Sequence, residues 1–180
     1  MLSRRLTGVV AVLAAVALLA GCGKKSTTTP ATDWANGVCT AITTWKTSVT
    51  TAVDSVKSGN LTKESVQTAA DDVKSATDTF TQDLKKLGKP NTDSGKQAKQ
   101  EIDQLSTQIS DGTQKIEDTV KNASGLSGLV TAAPSIISTL QTMGNEVSST
   151  ITSLKQLDAK GELQTAFKQA PACKTYVSQS

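Results

Sequence analysis

The sequence contains no histidine, and its aromatic residues are limited to two tryptophans, two phenylalanines and one tyrosine. Histidine is the most frequent general base and a common transition-metal ligand, and aromatic rings are the surfaces on which unpaired bases stack. An enzyme built from this chain would depend on Asp, Glu, Lys, Ser or Tyr176 alone. We therefore expect a non-enzymatic protein with no cofactor, no metal and no nucleic-acid partner.

The chain also lacks a strong excess of charge. It carries 19 Lys and Arg residues against 16 Asp and Glu residues. Arg4 and Arg5 belong to an N-terminal segment that we expect to be removed, and without these two the 17 remaining basic residues nearly balance the acidic ones. A nearly neutral domain has little electrostatic attraction for a polyanion, so the net charge of the full chain identifies no such partner.

The N-terminal segment has the features of an export signal. Arg4 and Arg5 precede an apolar run of 13 residues, Gly8 to Ala20, which is shorter than the roughly 20 residues that a membrane-spanning helix needs. The run ends in Leu19-Ala20-Gly21-Cys22, which resembles the lipobox of bacterial lipoproteins. The resemblance implies attachment of a diacylglycerol to Cys22 and cleavage before it. The alternative is an ordinary secretory signal followed by a chance cysteine.

This resemblance divides the chain into three parts. Residues 1–21 are the expected signal peptide, residues 22–32 a lipidated flexible tether rich in Lys, Ser, Thr and Pro, and residues 33–180 a folded domain. Two acyl chains hold a protein on a bilayer far more firmly than one chain does. We therefore expect the protein on the extracytoplasmic face of the bacterial cell membrane, anchored through Cys22.

The folded part shows apolar residues in alternating steps of three and four, which is typical of helices that bury one stripe. Four stripes run from Ala35 to Val56, Val66 to Leu87, Ala98 to Ile116 and Ile136 to Leu157. Short connections favour antiparallel neighbours. The prediction is an all-α, antiparallel four-helix bundle with a short fifth helix that contains Leu163, Ala166, Phe167 and Ala170. The alternative is a long hairpin like that of chemoreceptors.

Several residues are candidates for helix ends. Asp33 and Thr62 are expected N-caps, and Ser94 with Gln97 has the spacing of a capping box. Pro134 suits the first turn of the fourth helix. An earlier start of that helix near Leu126, with a kink at Pro134, is the alternative.

Antiparallel stripes predict core layers in which large residues meet small ones. Trp45 is expected with Thr77, Ile109 and Val147, which makes this tryptophan a core residue. The next layer contains Val49, Val73, Gly112 and Met143. Trp34 precedes the strict stripe, and we expect it to be buried beneath the C-terminal segment, with a role at an interface as the alternative.

Lipidation of Cys22 would leave Cys39 and Cys173 as one possible pair in an oxidising compartment. The start of the first helix and the end of the fourth lie at the same end of such a bundle. We therefore predict a Cys39–Cys173 disulfide. Two free buried thiols or one reactive cysteine are the alternatives.

Two other groups of residues are candidate sites. Acidic residues recur at 71, 72, 78 and 83 and again at 111, 117 and 118, with lysines interspersed, which favours solvated surfaces over a cation site. The run Gly125-Leu126-Ser127-Gly128 is too short to be a phosphate-binding loop, and we interpret it as a connection between helices.

The leading functional hypothesis is a membrane-anchored, non-enzymatic lipoprotein that presents a helical bundle to a protein or cell-envelope partner. The Thr-rich tether and the Ser- and Thr-rich domain are similar to those of actinobacterial lipoproteins, a resemblance of composition that implies no activity. The alternative hypothesis is a carrier or sensor for a small apolar ligand. Its pocket would lie between the helices, near the small or polar seam residues Thr77, Gly112 and Thr150.

Overall fold

The computed structural model describes residues 28–58 and 61–177. The predicted signal peptide, Cys22, most of the predicted tether, residues 59 and 60 and the last three residues lie outside the described residues. The described chain is almost entirely helical. The prediction of an all-α, antiparallel four-helix bundle with a short fifth helix is confirmed.

Four long helices form the body of the bundle: α1 (Ala31–Ser58), α2 (Lys63–Leu87), α3 (Gly95–Asn122) and α4 (Gly125–Gln156). They are followed by α5 (Glu162–Gln169), a 3₁₀ turn (Pro171–Cys173) and α6 (Lys174–Val177). Two short strands, β1 (Thr28–Thr29) and β2 (Lys89–Pro90), pair in parallel. Within the described ranges, no helix combines the length and the hydropathy that crossing a bilayer requires.

The start of the fold differs from the prediction. The tether was expected to reach Thr32 and Asp33 was expected to cap the first helix, but α1 already begins at Ala31. The Pro30 carbonyl accepts the first hydrogen bond, from the Trp34 N–H at 2.9 Å. Thr29 is held on the bundle because its hydroxyl donates to the Leu87 carbonyl at 2.9 Å. Residues 28–32 therefore belong to the domain.

The other predicted helix ends give mixed results. Thr62 caps α2 as predicted, since its hydroxyl oxygen accepts from the Ser65 N–H at 3.1 Å and the Ser65 hydroxyl accepts from the Thr62 N–H at 3.0 Å. The capping box at Ser94 is wrong, because the Ser94 hydroxyl donates to the Leu157 carbonyl instead, at 3.2 Å. Pro134 lies inside α4, which begins at Gly125, so the alternative of an earlier start is the correct one.

The bundle is closed differently at its two ends. Consecutive long helices pack along their lengths, whereas α1 and α4 have little direct contact and α5 lies between them near the start of α1. We call this region, which contains Cys39, Cys173 and α5, the disulfide end. The opposite region, where α1 and α3 end and α2 and α4 begin, is called the open end.

Candidate functional site

The disulfide end is fixed by a covalent bond. Cys39 in α1 and Cys173 in the 3₁₀ turn form a disulfide with Cα atoms 5.2 Å apart, and both residues are fully buried. The Ala172 N–H also donates to the Asn36 side-chain oxygen at 3.0 Å. The predicted pairing is confirmed. A buried disulfide offers no thiolate, so these two sulfur atoms do not act as nucleophiles.

Trp34 supports the same end from inside. Its ring is fully buried and meets the ring of Phe167 edge to face, with centroids 6.3 Å apart. Its indole N–H donates to the Gly88 carbonyl at 3.1 Å. The expected burial beneath the C-terminal segment is confirmed, so Trp34 is not an exposed anchor for a partner.

Asp158 positions α5, a role that the sequence analysis missed. Its two carboxylate oxygens accept hydrogen bonds from the N–H groups of Glu162 at 2.9 Å and Leu163 at 2.8 Å. Burial opposes the charged form, but these backbone donors outweigh it, and the pKa of Asp158 is lowered. The sequence signal for this role was the pair Asp158 and Gly161 just before α5, since aspartate and glycine are both favoured at helix starts.

The middle of the core is filled. The Trp45 indole N–H donates to the Thr77 hydroxyl at 3.1 Å, and the Thr77 and Thr113 hydroxyls share a hydrogen bond at 2.9 Å. A methyl group added at Gly112 would lie 2.7 Å from the Met143 side chain. The Trp45–Thr77 and Gly112–Met143 contacts agree with the predicted layers. The hydrogen-bonded hydroxyl groups of Thr77 and Thr113 occupy the seam at Thr77. A pocket of about 320 Å³ does adjoin Gly112, but its walls include the charged residues Asp111, Lys115 and Glu146.

The acidic helix surfaces carry ion pairs. Lys74 lies 2.6 Å from Asp78, and Lys121 lies 3.0 Å from Glu117. In each pair the side-chain hydrogen bond to the acidic partner is the main cause of a raised lysine pKa. In the part of the chain that the structure describes, no three potential metal ligands of the His, Cys, Asp or Glu type converge.

A groove of about 400 Å³ lies at the open end. The last turns of α1 line it with Val53 and Val56, and the first half of α4 lines it with Val130 and Ala133. The buried side chain of Ile116 contributes from α3. Apart from one lysine, the described lining residues are all Ala, Val, Leu or Ile. We call this feature the apolar groove.

The groove exists because two conditions coincide. At the disulfide end α5 fills the space between α1 and α4, and no comparable element fills it among the described residues of the open end. The residues that face the gap from α2 include Ala69 and Ala70, which are too small to reach across. Ala52, Ala69 and Val73 accordingly form a small cluster separate from the main core.

The large apolar side chains that are most exposed within residues 28–58 and 61–177 lie at the open end. They are Leu61, Leu126, Val130 and Ile137, with 44 to 58% of their surfaces accessible. All but Leu126 line the apolar groove. Scattered exposed hydrophobic residues need no explanation, but a contiguous group around a concave surface marks an interaction site.

The sequence contained a signal for this groove that was not used. A helix that packs on one seam needs apolar residues at one position in three or four. The first half of α4 instead has adjacent apolar pairs, Leu129 with Val130 and Ile136 with Ile137. Leu129 is buried, whereas Val130 and Ile137 are exposed. The doubled stripe therefore indicated a second apolar face.

A second groove of about 400 Å³ provides a contrast within the same molecule. It lies between α1 and α2, and its walls carry Thr44, Ser48, Ser75, Thr79 and Asp83. Volume alone therefore does not distinguish the open end. The apolar groove differs from this polar groove in the chemistry of its walls.

The fold and the site together define a disulfide-linked helical bundle with an apolar groove at one end. No family model, no curated protein and no solved structure matches the chain.

Proposed function

We propose that the protein is a non-enzymatic lipoprotein of the bacterial envelope, anchored to the extracytoplasmic face of the membrane through Cys22, that binds a partner at the apolar groove. The lipobox residues 19–22 support the anchor. The exposed aliphatic side chains at the open end support the binding role. The partner is a protein or another component of the cell envelope.

One observation carries this proposal: the described start of the chain and the apolar groove lie at opposite ends of the bundle. The pairing of Thr28 and Thr29 with β2 holds the start of the domain at the disulfide end. Helix α1 has 28 residues and is about 42 Å long, and the groove occupies the half of the bundle that is farther from Thr28. The six residues after Cys22 span at most about 20 Å. An anchor at Cys22 would therefore keep the disulfide end within about 20 Å of the membrane, and a bundle that stands upright there would present the groove away from the membrane.

The test combines membrane fractionation with site-specific photocrosslinking in cells. We expect the unaltered protein in the membrane pellet and a Cys22→Ala variant outside it. A photoreactive amino acid at Val130 in the apolar groove should yield a crosslinked adduct. The same residue at Thr79, in the polar groove, is the matched control and should yield none.

Two results would contradict the proposal. Retention of Cys22→Ala in the membrane pellet, at the level of the unaltered protein, would refute anchoring through that cysteine. Equal adducts from positions 130 and 79, or none from either, would refute the apolar groove as the binding site.

A second candidate function is a carrier for a small apolar ligand, and the size of the groove favours it. Ligand sites in proteins enclose roughly 300 to 1,000 Å³ between mostly apolar walls. The apolar groove, with about 400 Å³ and aliphatic walls, lies within this range. In this function the occupant is a small molecule rather than a macromolecule.

A further inference from the structure

We propose that the apolar groove binds the hydrocarbon chain of a single-chain anionic amphiphile, such as a long-chain fatty acid, with Lys57 beside the headgroup at the mouth. This inference rests on the second candidate function and names its ligand class. It follows from the walls of the groove, from its size and from Lys57, the charged residue among the described lining residues.

The walls suit hydrocarbon better than a polar ligand. Binding sites for polar molecules include a few placed donors or acceptors that compensate the water lost on burial. The described side chains that line this groove are aliphatic apart from Lys57, and the backbone behind them is helical except at Leu61. A buried polar group of a ligand would therefore lose hydrogen bonds to water without replacement. A methylene chain has none to lose.

The size of the groove suits a single hydrocarbon chain. Its volume of about 400 Å³ lies in the lower part of the range of small-molecule sites, roughly 300 to 1,000 Å³. Its walls come from all four long helices, so a narrow chain would contact aliphatic side chains on several sides.

Lys57 supplies a positive charge at the mouth. It is the charged residue among the described groove-lining residues, and 71% of its side chain is exposed. A lysine stem lies readily along an apolar wall while its ammonium group stays in water. Its present partner, Asp54, lies 3.3 Å away in an exposed pair. Such pairs are weak, so the ammonium group can also face the carboxylate or phosphate of a ligand.

The test is a binding titration with a chain that begins at residue 22, carries Cys22→Ala and retains every described residue. Palmitate is added to displace cis-parinaric acid, a fluorescent fatty acid, and hexadecanol serves as the uncharged counterpart. Circular dichroism and the Cys39–Cys173 bond, detected on non-reducing gels, establish that each variant is folded.

Two pairs of variants distinguish changes in the groove from the effects of the same substitution elsewhere on the surface. Ala133→Trp fills the apolar groove, and Ala76→Trp makes the same change in the polar groove. Lys57→Glu reverses the charge at the mouth, and Lys86→Glu is its match. Lys86 has 72% of its side chain exposed and also pairs with an aspartate three residues before it.

We expect palmitate to bind the unaltered domain and both control variants equally well. Each methylene group kept out of the groove weakens binding about fourfold, so Ala133→Trp should weaken it more than tenfold. Lys57→Glu should weaken palmitate binding by about fivefold, the upper range for an exposed ion pair, and leave hexadecanol binding unchanged.

No displacement by palmitate, or equal displacement from Ala133→Trp, would overturn the inference. Equal loss of palmitate and hexadecanol binding in Lys57→Glu would overturn the role of the charge. If position 130 crosslinks to a protein in cells while palmitate fails to bind, the inference is wrong and the proposed function stands. A dimer of the unaltered domain in sedimentation experiments that Ala133→Trp abolishes would identify the occupant of the groove as a second copy of the chain and overturn the inference.

Discussion

The disulfide gives the prediction whose magnitude can be worked out most fully. Cys39 and Cys173 are separated by 134 residues, so the bond closes nearly the whole domain into one loop. In the chain-entropy description, a loop of this length removes about 5 kcal/mol of conformational freedom from the unfolded chain. Net stabilities of domains are commonly about 5 to 15 kcal/mol. The bond is therefore a major part of the stability.

The perturbation is the double substitution Cys39→Ala and Cys173→Ala. Alanine avoids placing serine hydroxyl groups in a fully buried site. We expect the free energy of unfolding to fall by about 5 kcal/mol, and the melting temperature of a domain of this size to fall by about 10 to 20 °C. Urea unfolding of the domain, followed by the fluorescence of Trp34 and Trp45, measures the change.

A reductant supplies the control. Dithiothreitol should shift the unfolding curve of the unaltered domain to that of the double variant and should not affect the variant. A loss below about 1 kcal/mol would refute the reasoning, because the unfolded chain would then gain little freedom when the bond is absent.

Three further predictions concern single residues. Asp158→Ala should lower the free energy of unfolding by about 1 kcal/mol at pH 7 in urea titrations. The pKa of Asp158 is lower in the folded domain than in the unfolded chain. The difference in unfolding free energy between the unaltered domain and the variant should therefore persist above the unfolded pKa of about 3.9 and vanish as the pH falls through the folded pKa. A difference that stays constant with pH would contradict this prediction. Gly112→Ala should cost about 1 to 3 kcal/mol in thermal melts, because the new methyl group meets Met143. Gly144→Ala, with open space around it, should instead stabilise α4 by up to about 1 kcal/mol, and equal effects at 112 and 144 would contradict the packing.

Much of the fold followed from local patterns. The spacing of apolar residues predicted four helices and the contacts of Trp45 with Thr77 and of Gly112 with Met143. The cysteine count predicted the disulfide only after the lipobox had been assigned to Cys22. These features depend on periodicity or counting, which a single sequence displays directly.

The remaining features depend on contacts between distant residues. Ser94 has the sequence of a cap, but its hydroxyl donates to Leu157, 63 residues away, and spacing does not reveal such a competitor. The position of α5 between α1 and α4 likewise depends on Trp34 and Phe167 meeting in space. The apolar groove follows from that position, which the spacing of apolar residues in the sequence does not reveal.

The central claim is that the open end carries the binding site. Hydrogen–deuterium exchange of the domain, with and without palmitate, tests this claim most directly, because it reports where along the chain the ligand slows opening. We expect slower exchange in the last turns of α1 and the first half of α4, and no change around Cys39 and α5. Protection confined to the disulfide end, or spread evenly over the bundle, would contradict the account.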